Sequence, residues 1–173
     1  MSALSDVLGT PAPVAWWYPD AMMLYGQFVG SWEGEAVTYP LDGPELRHSA
    51  EVHFDWVLEG RAVQDVWIVP ARRDRRWPPC SRNLYGTTLR VYDPAADAWN
   101  VTWTNPPNGA FTRLVGRREG DRIVQTGDDR DGRNRWIFSE ITPDSFRWTG
   151  EISTDGGQTW RLTGEFALRR VGR

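Results

Sequence analysis

Lysine is absent from this chain of 173 residues, and cysteine, histidine and long apolar runs are scarce. Cys80 is the only cysteine, so no disulfide can form within the chain and nothing requires an oxidising compartment. The first residues lack the basic and apolar segments of a signal peptide, and no apolar run reaches membrane-spanning length. We therefore expect a cytoplasmic protein without a membrane partner.

The two histidines, His48 and His53, argue against a metal site. They are five positions apart in a segment that alternates like a strand, so their side chains point to opposite faces. A net charge of −3 without a basic face argues against nucleic acid as a partner. No nucleophile elbow, phosphate-binding loop or Cys-x-x-Cys pair occurs. We expect no metal, haem or other cofactor.

Tryptophan is abundant instead, with eleven residues spread through short alternating segments. Each indole hides a large apolar area and carries one N–H donor. Eleven such rings in a chain of this length cannot all lie on the surface. They predict either a very aromatic core or an aromatic-lined cavity that holds a small apolar molecule.

The apolar pattern predicts an all-β fold. Residues 1–18 are interpreted as an irregular arm and residues 19–28 as a short helix, and the main domain is assigned to residues 19–173. A long loop is predicted at 70–84. From residue 31 onwards, period-two alternation and turn residues predict strands at 31–40, 47–58, 61–69, 86–92, 99–104, 111–116, 123–127, 135–140, 146–153 and 160–170. This series predicts a single antiparallel up-and-down β-barrel of eight to ten strands, capped at one end by the short helix.

Two separated motifs add a resemblance to this pattern. Gly30-Ser31-Trp32 opens the first strand and Arg170 lies near the end of the last, with Arg169 as its alternative. The chain thereby resembles the calycin superfamily, the lipocalin and fatty-acid-binding-protein type of barrel. The resemblance implies that Trp32 and the arginine stack at the closed end and are structural. Segments 60–67, 86–93 and 135–138 also look like uncharacterised bacterial calycin-like domains.

One further motif predicts a turn. Asp155, in the segment 153–160, matches an Asp-box hairpin, in which the carboxylate bonds loop amides. We interpret Asp155 as structural.

The candidate site residues are polar or aromatic side chains on the predicted strands. Inward or outward orientation is left open for Arg90, because Leu89 and Val91 compete for the inner face, and for the whole segment 61–69. The candidate acids and bases are Asp65, Glu51, His48 and Tyr92. The candidate ligand-binding residues are Phe54, Trp56, Trp67, Arg90, Trp103, Arg113, Trp136, Glu140 and Trp148.

The leading functional hypothesis is binding of a small hydrophobic or aromatic molecule, with a cofactor-free cyclisation, isomerisation or dehydration in secondary metabolism as the chemistry to test. One alternative is a carrier without catalysis. Another is a structural or interaction module whose tryptophans fill the core, and a homodimer is compatible with each.

Overall fold

The strands predicted after Gly30 are present in the computed structural model, which describes residues 3–76 and 83–172. Cys80, Trp77 and the middle of the predicted 70–84 loop lie outside the described residues. The strands of the barrel are β2 (Gly30–Thr38), β3 (Leu46–Val57), β4 (Ala62–Val69), β5 (Leu84–Asp93), β6 (Ala98–Asn105), β7 (Ala110–Glu119), β8 (Arg122–Asp129), β9 (Gly132–Ser139), β10 (Ser145–Ser153) and β11 (Arg161–Val171).

Each strand from β3 to β11 pairs antiparallel with the strand before it. Strands β2 and β11 then pair with each other over Ser31–Thr38 and Gly164–Val171, which closes the sheet into a ten-stranded barrel. Closure removes the exposed edges that an open sheet of this size would present. The predicted all-β, up-and-down barrel is therefore confirmed.

The segment before the barrel is more ordered than the predicted irregular arm. It contains a helix α1 (Ala3–Leu8) and a two-residue strand β1 (Gly9–Thr10). Strand β3 continues past its last partner on β2, Gly30, and β1 pairs with the residues of β3 left over, Trp56 and Val57. The backbone N–H and C=O groups at the end of β3 need hydrogen-bond partners, and β1 supplies them. This pairing orders part of a segment whose glycine and prolines predict irregular structure.

Helix α2 (Pro19–Gly26) covers one end of the barrel, as predicted for residues 19–28. Met22 and Tyr25 are fully buried, and Phe28, just after the helix, is buried with them. Gly26 gives this helix its close approach to β3, because a Cβ there would lie 2.3 Å from the ring of Trp56. The helix thus seals what we call the closed end.

The predicted stacking of Trp32 and Arg170 occurs at this closed end. The Arg170 guanidinium carbon lies 4.1 Å from the centre of the Trp32 ring, within the range of a cation–π contact. The Trp32 indole N–H donates to the carbonyl of Phe28 at 2.7 Å. Arg169, the alternative, is exposed on the outer face of β11.

Asp155 organises the turn between β10 and β11. Its carboxylate accepts hydrogen bonds from the backbone N–H groups of Gln158 and Thr159, both at 2.9 Å, and from the Thr159 hydroxyl at 2.6 Å. These bonds, the Thr159 hydroxyl first, hold the pKa of Asp155 well below its usual value. The carboxylate acts as a fixed turn anchor.

Candidate functional site

An aromatic cavity occupies the half of the barrel away from helix α2. Its volume is about 130 Å³. Four tryptophans form most of its wall, and one aliphatic, one aromatic and two polar residues complete it: Trp67, Trp103, Trp136, Trp148, Leu84, Phe166, Thr88 and Arg90. Rings from five different strands converge there because each of these strands turns its apolar face inward.

The tryptophan rings of the wall contact one another in a chain. Trp148 lies 5.7 Å from Trp67 and 5.6 Å from Trp136, between ring centres, and Trp136 lies 6.1 Å from Trp103 with the two planes nearly perpendicular. Tilted and edge-to-face contacts of this kind hold large rings in defined positions. Gly86 makes room for the chain, since a Cβ there would lie 2.2 Å from the Trp103 ring.

A buried ion pair lies at the floor of the cavity, where Arg90 belongs to the wall and Asp65 lies behind it. Asp65 on β4 and Arg90 on β5 are each 1% exposed, and the Arg90 Nη1 donates to the Asp65 Oδ2. The other oxygen, Asp65 Oδ1, accepts the backbone N–H of Thr88 at 2.9 Å. Both carboxylate oxygens are therefore engaged, and the charge of Arg90 is balanced by direct contact.

Aromatic rings and one amide surround the Arg90 guanidinium. Its central carbon lies 4.8 Å from the Tyr25 ring centre and 5.6 Å from those of Phe54 and Phe138. Its Nε donates to the Gln125 Oε1 at 3.4 Å. Stacking and pairing together fix the position of the cation, so the floor is rigid.

Two polar atoms beneath this floor have no hydrogen-bond partner in the part of the chain that the structure describes: the Tyr25 hydroxyl and the Gln125 amide nitrogen. Burial raises the pKa of Tyr25 well above its usual value, although the positive charge of Arg90 opposes the shift. The phenol is therefore neutral at any physiological pH. Gly116 provides its space, because a Cβ there would lie 2.3 Å from the Tyr25 hydroxyl.

The structure brings five of the nine predicted ligand-binding residues to the cavity wall: Trp67, Arg90, Trp103, Trp136 and Trp148. It also resolves the two open orientations. Asp65 and Trp67 face inward on β4, and Arg90 is buried while its neighbour Val91 is exposed. Phe54 and Trp56 lie deeper, where Phe54 packs 5.5 Å from Phe28.

Three other predicted residues lie away from the cavity. Tyr92 is at the closed end, where its ring lies 5.6 Å from Trp99 and its hydroxyl donates to Asp97 at 2.7 Å. Arg113 is exposed on the outer face of β7. Glu140 is exposed after β9.

The remaining two, Glu51 and His48, also lie outside the cavity. His48 is exposed near the start of β3. Glu51 faces outward and belongs to a surface chain in which Ser31 Oγ contacts His53 Nδ1 at 2.9 Å and His53 Nε2 contacts Glu51 Oε1 at 2.7 Å. Hydrogen bonds from Arg72 lower the pKa of Glu51 to about 2, so this carboxylate is ionised.

Sequence reasoning missed several residues of the cavity and its floor: Leu84, Thr88, Phe166, Tyr25 and Gln125. Thr88 and Leu84 share the period-two register of Arg90, so this alternation would have found them once Arg90 was placed inward. No local signal marks Gln125, because a single glutamine on a strand is ordinary on either face.

Comparison with solved structures finds this barrel in proteins of low sequence identity. The crystal structure of Rv2717c from M. tuberculosis has a TM-score of 0.64 and 16% identity, covering 88% of this chain and 98% of that one. The S-type phycobiliprotein lyase CPES from Guillardia theta has a TM-score of 0.57 and 11% identity, covering 92% and 99%. The fold is a calycin-like β-barrel. No protein-family model and no curated protein matches the chain.

Likeness to these calycin-like barrels establishes the fold and assigns no activity. Within residues 3–76 and 83–172, no three side chains of the types His, Cys, Asp and Glu come together as a metal site would require. No helix in the same ranges is long and apolar enough to cross a membrane.

Proposed function

We propose that this protein binds a small aromatic or hydrophobic molecule in the tryptophan-lined cavity. The observation that carries the proposal is the cavity itself, about 130 Å³ with four indoles in its wall. Engineered apolar cavities of about 150 Å³ bind benzene in other proteins. The space inside this barrel therefore suits a single six-membered ring, and a larger ligand would extend towards the end of the barrel away from α2.

Binding is favoured over catalysis by the state of the ionisable groups. Asp65, the buried carboxylate paired with Arg90, is not among the residues that line the cavity, and both of its oxygens already accept hydrogen bonds. A general base needs a lone pair that reaches the proton it removes. Arg90 is the one charged residue among the described residues that line the cavity, and a guanidinium does not exchange its proton at neutral pH. We therefore propose a binder or carrier, although a phycobiliprotein lyase shares the fold.

The cavity also distinguishes this proposal from a module with a filled core. Packed interiors contain few voids larger than a water molecule. This space of about 130 Å³ is partly open and walled almost entirely by apolar side chains, so its surface stays in contact with water unless an apolar ligand occupies it.

Toluene is a suitable first probe, because it is one apolar ring with no charge. We expect it to bind the wild-type protein in isothermal titration calorimetry and to change the tryptophan fluorescence. Leu84→Phe adds volume inside the cavity and should weaken toluene binding at least tenfold. The matched control is Leu41→Phe, on a turn where Leu41 is 80% exposed, and it should bind like wild type.

Two results would contradict the proposal. One is the absence of any heat or fluorescence change when wild-type protein is titrated with toluene to its solubility limit. The other is equal toluene affinity in the Leu84→Phe and Leu41→Phe variants, since that would place the bound ring outside the cavity.

A further inference from the structure

The charge balance of the cavity floor points to a particular class of ligand. Resting on the proposed function, we infer that the cavity selects an uncharged aromatic molecule with one hydrogen-bond acceptor and excludes aromatic carboxylates and amines. The inference depends on the pairing of Asp65 with Arg90 and on what else is charged inside the barrel.

Asp65 and Arg90 are the two ionised side chains that the structure places inside the barrel. Among the described residues, one further ionised side chain is buried, Glu51, and it faces outward to Arg72 and His53. Asp65 and Arg90 are in direct contact, with side-chain exposures of 0% and 1%. Over the described residues the interior is therefore neutral overall, although Arg90 is among the residues that line the cavity.

A carboxylate ligand would gain little from Arg90. It would give up its hydration on entering an apolar cavity, and the repulsion of Asp65, in direct contact with Arg90, would cancel part of the attraction of Arg90. An ammonium ligand would approach Arg90 first, because Asp65 contributes no atoms to the cavity wall. For both kinds of charged ligand, the free-energy cost of desolvation therefore exceeds the favourable interaction with Arg90 and Asp65.

A neutral ligand that carries a hydrogen-bond acceptor can interact more favourably with the polar residues of the cavity. Arg90 and Thr88 are the polar residues of the wall, and guanidinium N–H and hydroxyl groups both donate hydrogen bonds. A carbonyl oxygen on the ligand can accept from either group while its ring lies among the four tryptophans. A ring without an acceptor fills the same space but makes no such bond.

Four probes of one ring size test this inference: toluene, benzaldehyde, benzoate and benzylamine, titrated at pH 7.5 by calorimetry. We expect benzaldehyde to bind at least threefold more tightly than toluene and at least tenfold more tightly than benzoate or benzylamine. The chain has no lysine, so side-chain amines cannot trap the aldehyde as an imine.

Asp65→Asn gives the sharpest variant, because it leaves the charge of Arg90 unbalanced with little change of shape. Benzoate affinity should rise at least tenfold in this variant, while benzylamine should not gain. Asp128→Asn is the control, since it neutralises a carboxylate that is 78% exposed, and it should leave all four affinities unchanged. If Asp65→Asn does not fold, the Asp65→Leu/Thr88→Val/Arg90→Met triple variant replaces it. It removes both donors of the wall, so the advantage of benzaldehyde over toluene should disappear.

The outcomes separate the two proposals. Benzoate binding as tightly as benzaldehyde to wild type, or toluene binding as tightly as benzaldehyde, would overturn the inference while leaving the proposed function intact. Unchanged benzoate affinity in a folded Asp65→Asn variant, or a retained benzaldehyde preference in the triple variant, would also overturn it. If no probe binds to the wild-type protein, the proposed function itself fails.

Discussion

Replacing Arg170 by methionine should remove a large part of the stability of the barrel. The guanidinium stacks 4.1 Å from the centre of the Trp32 ring. It also donates to three backbone carbonyls: those of Val29 at 2.6 Å, Gln27 at 2.9 Å and Pro143 at 2.7 Å. One side chain thereby joins β11 to the residues that follow α2 and to the turn before β10.

The magnitude follows from these contacts. Hydrogen bonds to charged groups contribute about 1.5–3 kcal/mol each when buried, and half-burial here reduces this to about 1 kcal/mol. The cation–π contact adds about 1 kcal/mol. We therefore expect Arg170→Met to lower the free energy of unfolding by about 4 kcal/mol, against a usual total of roughly 5–15 kcal/mol. Arg170→Lys should lose about half as much, because an ammonium cannot span the three carbonyls.

Urea denaturation followed by circular dichroism measures this loss as a shift of the midpoint at an unchanged slope. Arg169→Met is the matched control, one residue away on the exposed face of β11, and it should change stability by less than about 0.5 kcal/mol. Equal losses of unfolding free energy in the two variants, or a loss below about 1 kcal/mol for Arg170→Met, would refute the reasoning that Arg170 stabilises the closed end.

Three other changes test other parts of the structure. Glu51→Gln should lower the free energy of unfolding at neutral pH, because it removes a stabilising pair with Arg72. The pKa of Glu51 is lowered to about 2, so the wild-type protein should lose this extra stability as the pH falls from about 4.5 to 2. Denaturation at a series of pH values should then show the free energies of unfolding of wild type and variant becoming equal at low pH. Gly34→Ala should prevent normal closure, since its Cβ would lie 1.9 Å from a carbonyl oxygen of β11, and a midpoint within error of wild type would contradict this. Asp65→Leu and Arg90→Met should each cost about 3–5 kcal/mol alone but much less than the sum when combined, and additive losses would argue against their buried pairing.

The order and positions of the strands could be predicted because one face of each strand is buried. Residues 47–58, for example, alternate between the inward Val52, Phe54 and Trp56 and the more polar His53 and Asp55, and the observed β3 (Leu46–Val57) differs by one residue at each end. Burial on one side imposes period two on a sequence, so alternation identifies such strands reliably.

Orientation could not be predicted where both faces carry apolar residues. On β5, Leu89 and Val91 flank Arg90, so alternation alone left the orientation of the arginine open. The deciding factor was Asp65 on the neighbouring strand, and pairing between β4 and β5 is a long-range property. The same limit applied to Glu51, which is buried on the outer face because Arg72, in the segment that follows β4, covers it. The residues around a charged side chain do not indicate which distant side chain will pair with it in the folded protein.

Closure of the barrel between β2 and β11 has a consequence for synthesis. Thr38 pairs with Gly164 and Trp32 with Arg170, so the seam joins the first strand of the barrel to a strand that is made much later. While β11 is still inside the ribosome, β2 has an unpaired edge and the tryptophans of the wall have no complete enclosure. Bringing such distant segments together carries a large loop-closure entropy, so we expect the seam to form late. Until β11 emerges, the nascent chain therefore exposes an open, tryptophan-rich sheet that could associate with other chains.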